Sequence, residues 1–180
     1  MRDTTSLLIQ YAGYHRDPRN IATHLVGIPL IVLGIGVLLS YPAIPLDPGS
    51  PWMLTPAWAL WAAATLWYLT RWHLPVTVSV IVANGLAMML AQWMAAQAGD
   101  RWALLGLGLF AAGWVLQFIG HYYEGRKPAF MDDLIGLLVG LMFVCAEVLF
   151  ALRLCRPLRD AIEAEAGPVR LRDLHAGALR

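Results

Sequence analysis

The chain has 180 residues, about one domain's worth, of which 59% are hydrophobic and 14% charged. That balance excludes an ordinary soluble domain, and a net charge of +1 without a clustered basic face excludes nucleic acid as a partner. Asp47 is the only formal charge between Arg19 and Arg71, and none lies between Arg71 and Asp100 or between Arg101 and Glu124. Runs of this length exceed the ~20 residues that cross a hydrocarbon core of ~30 Å.

Met1 to Asn20 carries Arg2, Asp3, Arg16, Asp17 and Arg19 and no cleavable-signal pattern, so the first membrane helix is expected to act as its own insertion signal. The composition predicts an all-α, polytopic membrane bundle of about five transmembrane helices. These cover Ile21–Tyr41, Leu54–Thr70, Val76–Ala98, Trp102–Tyr123 and Leu134–Leu152. The prolines of "YPAIPLDPGSPW" end the first, "RWHL" turns the second into the third, and "GDR" separates the third from the fourth. "EGRKPAFMDD" is the largest polar connection in the middle of the chain, and its Asp132 and Asp133 suit the start of the fifth helix. Trp52, Trp58, Trp72 and Trp102 fall near helix ends, at headgroup level. "GIGV" and "GLGLFAAG" supply small residues for close helix packing. Cys145 and Cys155 form no metal or disulfide spacing. The membrane domain is expected over 1–153, with a polar, partly disordered tail over 154–180.

Four helices between the N-terminal segment and the 124–133 connection put both on one side. Arg16, Arg19, Arg71, Arg126 and Lys127 then share the cytoplasmic face. Five spans put Arg153, Arg156 and Arg159 opposite, against the same bias, unless one segment fails to span or the fifth helix is re-entrant.

His15 and His24 flank the start of the first helix in "YHRDPRNIATHLVGIPL", where Asn20 suits the N-cap. Gln117, His121 and Glu124 are spaced i, i+4, i+7 and so share a face where the fourth helix ends, on the same side. Three imidazoles and a carboxylate at one interface suit Fe(II), Zn(II) or a similar ion, with Asp17, Asn20, Gln117 and Glu124 available to orient the rings. Bland roles stand beside this one. His15 could be solvated, His24 could bond a backbone carbonyl, His121 could cap its helix, and Glu124 could pair with Arg126 or Lys127. His73 is an interfacial residue and a reserve ligand, and His175 is a solvated tail residue. Glu147, near mid-membrane, is expected to be protonated or bonded to Asn84 or Gln92.

"YHRDPRNIATHLVGIP", "QFIGHYYEGRKPA" and the closing "EVLFAL" resemble the Mpo1-like family over residues 5 to 153. The resemblance implies an Fe(II)-dependent dioxygenase that shortens 2-hydroxy fatty acids by one carbon with O2, without 2-oxoglutarate. It implies His15, His24 and His121 as the metal ligands and Glu124 as the acidic residue of the second motif. A 2-hydroxy acid can chelate a metal through its carboxylate and neighbouring hydroxyl, and its acyl chain explains the lipid bilayer as a partner. Arg16, Arg19, Arg126 and Lys127 are candidates to draw in the carboxylate, Arg126 first.

A zinc-dependent membrane hydrolase acting on a lipid fits the same ligands. A transporter would gather polar groups at the midplane, and a di-iron desaturase needs far more than the five histidines present. The short, lysine-poor chain without a retention signal suggests a bacterial inner membrane, or the endoplasmic reticulum if the host is eukaryotic.

Overall fold

A computed structural model describes residues 2–50, 53–126 and 135–174. Trp52, Lys127, Asp132, Asp133 and His175 lie outside these residues. Most of the described residues are helical: α1 Thr4–Ala12, α2 Pro18–Leu38, α3 Pro56–Leu69, α4 Leu74–Ala98, α5 Trp102–Glu124, α6 Ile135–Ala151 and α7 Arg156–Ala166. Two short strands, β1 Ile44–Pro45 and β2 Met53–Leu54, pair antiparallel in the proline-rich loop.

α2 starts earlier than its apolar run. Asp17 is the N-cap and accepts from the Arg19 N–H, while Pro18 takes the first turn, where its missing N–H costs nothing. The cap expected at Asn20 is therefore displaced by three residues. Asn20 sits inside the helix, fully buried, with its side chain free for other bonds.

α2 and α5 run antiparallel with their backbones in near contact. Gly27 and Gly34 on α2 and Gly106, Gly113 and Gly120 on α5 recur every seven residues, so they fall on one seam of each helix. A Cβ at Gly113 would lie 2.6 Å from the Gly27 carbonyl oxygen, and one at Gly34 would lie 2.7 Å from the Phe110 nitrogen. Any larger residue would force the helices apart. α4 packs beside this pair, with Ala91 and Ala95 against Val37, and folds back into α5 through a 3-10 turn at Gly99–Arg101. α3 lies along α4, where the Trp61 indole N–H donates to the Ile81 carbonyl at 3.2 Å.

Two helices were not foreseen. α1 buries Leu7, Leu8, Tyr11 and Ala12, and the Thr4 N–H donates to the Arg71 carbonyl at 3.1 Å, tying it to the α3–α4 turn. α7, in the segment read as a polar tail, sets Leu158 and Ile162 into the same core.

Two stretches are long and apolar enough to cross a membrane: α2, and the Leu74–Glu124 stretch that contains α4 and α5. α3, with 14 residues, reaches only about 21 Å, and α6, with 17, about 26 Å. Five full crossings therefore do not follow from helix length. Leu66, Trp93, Leu104, Val115 and Phe118 face outward and exposed, an apolar belt that marks membrane association.

The side of the tail is also settled. α6 places Gly140 beside Ile28, deep in the bundle, and brings Phe143 up to His15. It thus runs toward the end of the bundle where α5 finishes. Beyond α7, the Arg170 N–H donates to the Arg16 carbonyl at 2.9 Å and the Arg172 N–H to Asp17 at 2.8 Å. The tail lies at the histidine end, not opposite it.

Candidate metal centre

His15 occupies the turn between α1 and α2. Its ring stacks on Tyr11 with centroids 4.1 Å apart and planes 5° from parallel, and its Nδ1 donates to the Tyr11 carbonyl at 2.7 Å. His24 lies inside α2, where its Nδ1 donates to the Asn20 carbonyl at 2.9 Å. His121 arrives on the last turns of α5, its ring centroid 5.0 Å from each of the other two. One ligand atom from each histidine lies within 4.8 Å of the others, and all three residues are buried. The three histidines expected to converge are brought together.

The hydrogen bonds fix which nitrogens carry protons. A carbonyl only accepts, so His15 and His24 are protonated at Nδ1 and, when neutral, present bare lone pairs at Nε2. Those two Nε2 atoms face one another at 3.0 Å. Burial, with His24 beside it, holds His15 well below its ordinary pKa and so in the neutral form. Two lone pairs at this distance repel unless a cation lies between them. With metal–nitrogen bonds of about 2.1 Å, ligands 3.0 Å apart subtend about a right angle, as neighbouring ligands of a metal do. The buried Nδ1 of His121 has no hydrogen-bond partner among the described residues. This donor set fits a metal ion.

Glu124 stands outside the trio. Its Oε2 accepts from the backbone N–H of Arg16 at 2.9 Å, from that of Asp17 at 2.8 Å and from the Asn20 amide at 3.1 Å. It ties the turn that carries His15 to the helix that carries His121. Asn20 also donates to the Tyr14 carbonyl at 3.1 Å, so the residue expected as a cap instead braces the same turn.

Among the described residues, Arg16, Arg19 and Arg126 have partners of their own. Arg19 pairs with Asp17 at 2.7 Å, lies 4.6 Å from the Tyr123 ring and holds the Asp17 carboxyl down at about 2. Arg16 donates to the carbonyls of His15 and Gly167, both at 2.9 Å, and its charge faces Glu147, Glu124 and Glu163. Arg126 donates to the Gly13 carbonyl at 2.6 Å. His73 sits at the N-cap of α4, apart from the cluster. Glu147, expected to be protonated or bonded to Asn84 or Gln92, faces the charges of Arg16 and Arg159.

Beneath the cluster lies a cavity of about 430 Å³. His24 and His121 line it together with Ile31, Ile35, Trp61 and Leu137. Tyr11, whose ring braces His15, lines it too. Sequence reading passed over Tyr11; the i, i+4 pairs Leu7–Tyr11 and Leu8–Ala12 were the available signal that it lies on a buried helical face. The arrangement could hold a metal at the head of an apolar chamber.

A curated relative, 2-hydroxy-palmitic acid dioxygenase MPO1 of Saccharomyces cerevisiae, is 27% identical over 167 residues, covering 89% of this chain and 88% of its own. No solved structure matches. The family model described as "2-hydroxy-palmitic acid dioxygenase Mpo1-like" matches residues 1–152, from α1 through the end of α6, and the chain belongs to the Mpo1-like family.

Proposed function

We propose that this protein is an Fe(II)-dependent dioxygenase that performs α-oxidation of 2-hydroxy fatty acids within a membrane. The observation that carries the reading is the pair of bare imidazole nitrogens 3.0 Å apart, with His121 beside them, at the head of an apolar cavity. The named activity of the yeast relative supports the substrate class. The balanced reaction converts R–CH(OH)–COOH and O2 into R–COOH, CO2 and H2O, so that O2 takes up the four electrons the acid loses.

Three neutral imidazoles would hold the iron and leave positions open for oxygen ligands. The metal supplies the redox chemistry and the charge that binds the acid head. His15, His24 and His121 fix its place. The Tyr11 and Asn20 carbonyls set the ring orientation of His15 and His24, as outer partners of metal-bound histidines do. Glu124 keeps the His15 turn docked. The apolar walls take the acyl chain and keep bulk water from the reacting end. The histidine end faces the cytoplasm on the charge bias, in a bacterial inner membrane or, in a eukaryote, the endoplasmic reticulum.

The test is metal analysis of the purified protein, then O2 uptake with 2-hydroxypalmitic acid and mass analysis of the product. One iron per chain, uptake abolished by a chelator, and an acid one carbon shorter are expected. Bound zinc with no O2 uptake would overturn the reading in favour of a hydrolase.

A further inference from the structure

Tyr68, Asn84 and Gln117 are polar residues that line the cavity without joining the histidine cluster. Tyr68 is already engaged, its hydroxyl donating to the Leu138 carbonyl at 3.0 Å. Gln117 is one turn before His121 on α5 and only 5% exposed. Its amide nitrogen has no hydrogen-bond partner among the described residues. It also fills the space a Cβ at residue 27 would need, so glycine there lets the amide lodge against α2. A buried donor without an acceptor is costly, and a rigidly held one is ready for a ligand that brings the acceptor.

Three of the expected carboxylate-binding cations already have partners, and Lys127 lies outside the described residues. Arg16, Arg19 and Arg126 are bonded to backbone carbonyls or to Asp17. Beside the histidines, Gln117 offers a neutral amide to the acid head. We infer that the Gln117 side chain seats the head of a 2-hydroxy acid. Its N–H donates to a carboxylate oxygen and its carbonyl accepts from the 2-hydroxyl, which sets the head against His24 and His121 and sends the chain down the cavity. The inference rests on the proposed function for the identity of the ligand, but it concerns binding and not turnover.

The test uses the full-length, metal-loaded protein in detergent and displacement of a fluorescent fatty acid. The competitors are 2-hydroxypalmitic acid and the corresponding long-chain diol, which lacks the carboxylate. Gln117→Met, close in shape, should weaken the acid by about tenfold or more, weaken the diol severalfold less because it keeps only the hydroxyl contact, and leave metal content unchanged. Gln117→Leu should do the same. Unchanged affinity for the acid in Gln117→Met overturns the inference. So does equal weakening of acid and diol, or metal loss in both variants, which would make Gln117 a support of the fold. A wild-type protein that binds the acid through Gln117 yet consumes no O2 upholds this seat and sinks the dioxygenase. One that oxidises the acid with the same KM in Gln117→Met does the reverse.

Discussion

The two halves of this bundle are packed by opposite rules. Between α2 and α5, glycines at 27, 34, 106, 113 and 120 bring backbone against backbone, and nothing wider fits. Across from that pair, Leu60 and Trp61 of α3, Met88 of α4 and Leu137 of α6 surround about 430 Å³ of space. The tight half sets positions: two ligands on helices that cannot slide apart are held to a fixed separation. The loose half accepts volume. A metal centre needs the first and a lipid chain needs the second, and His24 and His121 stand where the two meet.

The largest break in this contrast should come from the ligands. His24→Ala or His121→Ala should lose bound iron and cut activity below about one-hundredth while the thermal transition survives, read by metal content and O2 uptake. Leu60→Trp, in the loose half, should keep the iron and shorten the longest acid accepted. Full iron in either histidine variant would remove that residue from the ligand set.

Next in size is the carboxylate that docks the His15 turn. Glu124→Ala leaves the backbone N–H groups of Arg16 and Asp17 without their acceptor, and iron affinity should fall about 10- to 100-fold by metal titration. Glu124→Gln retains an acceptor and should lose less. Equal loss in both would mean that the charge matters and the docking does not.

The seam itself comes third. Gly113→Ala should destabilise by about 1–3 kcal/mol in detergent unfolding, since its Cβ would meet the Gly27 carbonyl and Ile31. Gly108→Ala, on the same helix but facing open space, should be neutral or slightly stabilising. If the two behave alike, the seam does not hold the pair.

The smallest effect lies at the edge of α1, outside both halves. Asp3 caps that helix by accepting from the Ser6 N–H at 2.8 Å, and its bonding to Ser6 holds its pKa below the ordinary 3.8. A depressed carboxyl stabilises the fold fully above its unfolded value and loses that contribution as pH falls through its folded one. Asp3→Asn should therefore flatten the stability curve only below about pH 4, by about 0.5 kcal/mol at this exposed cap. A variant that keeps the wild-type fall in stability below about pH 4 would contradict the assignment.

The long helices were legible because hydropathy alone marks them: α4 and α5 fall within two residues of the spans expected at 76–98 and 102–123. The meeting of His15, His24 and His121 was legible too, because counting crossings places both motifs at one end. α1 and α7 were not, since 9- and 11-residue helices carry only one or two core pairs each amid polar residues. The work of Glu124 was also hidden. Its bond to Arg16 joins positions 108 apart in sequence, and such a pairing leaves no local pattern. Asn20 misled in the other direction, because a good cap residue is equally good at bonding a neighbouring turn once Asp17 has taken the cap.

The strap from Gly167 to Arg172 across Arg16, Asp17 and Arg19 fixes a parity. For a bundle that spans a bilayer, a tail bonded to the N-terminal turn requires an even number of crossings, whatever the tilt or length of any one helix. An impermeant label placed ahead of Asp3 and one placed after Leu174 should accordingly be reached from the same compartment.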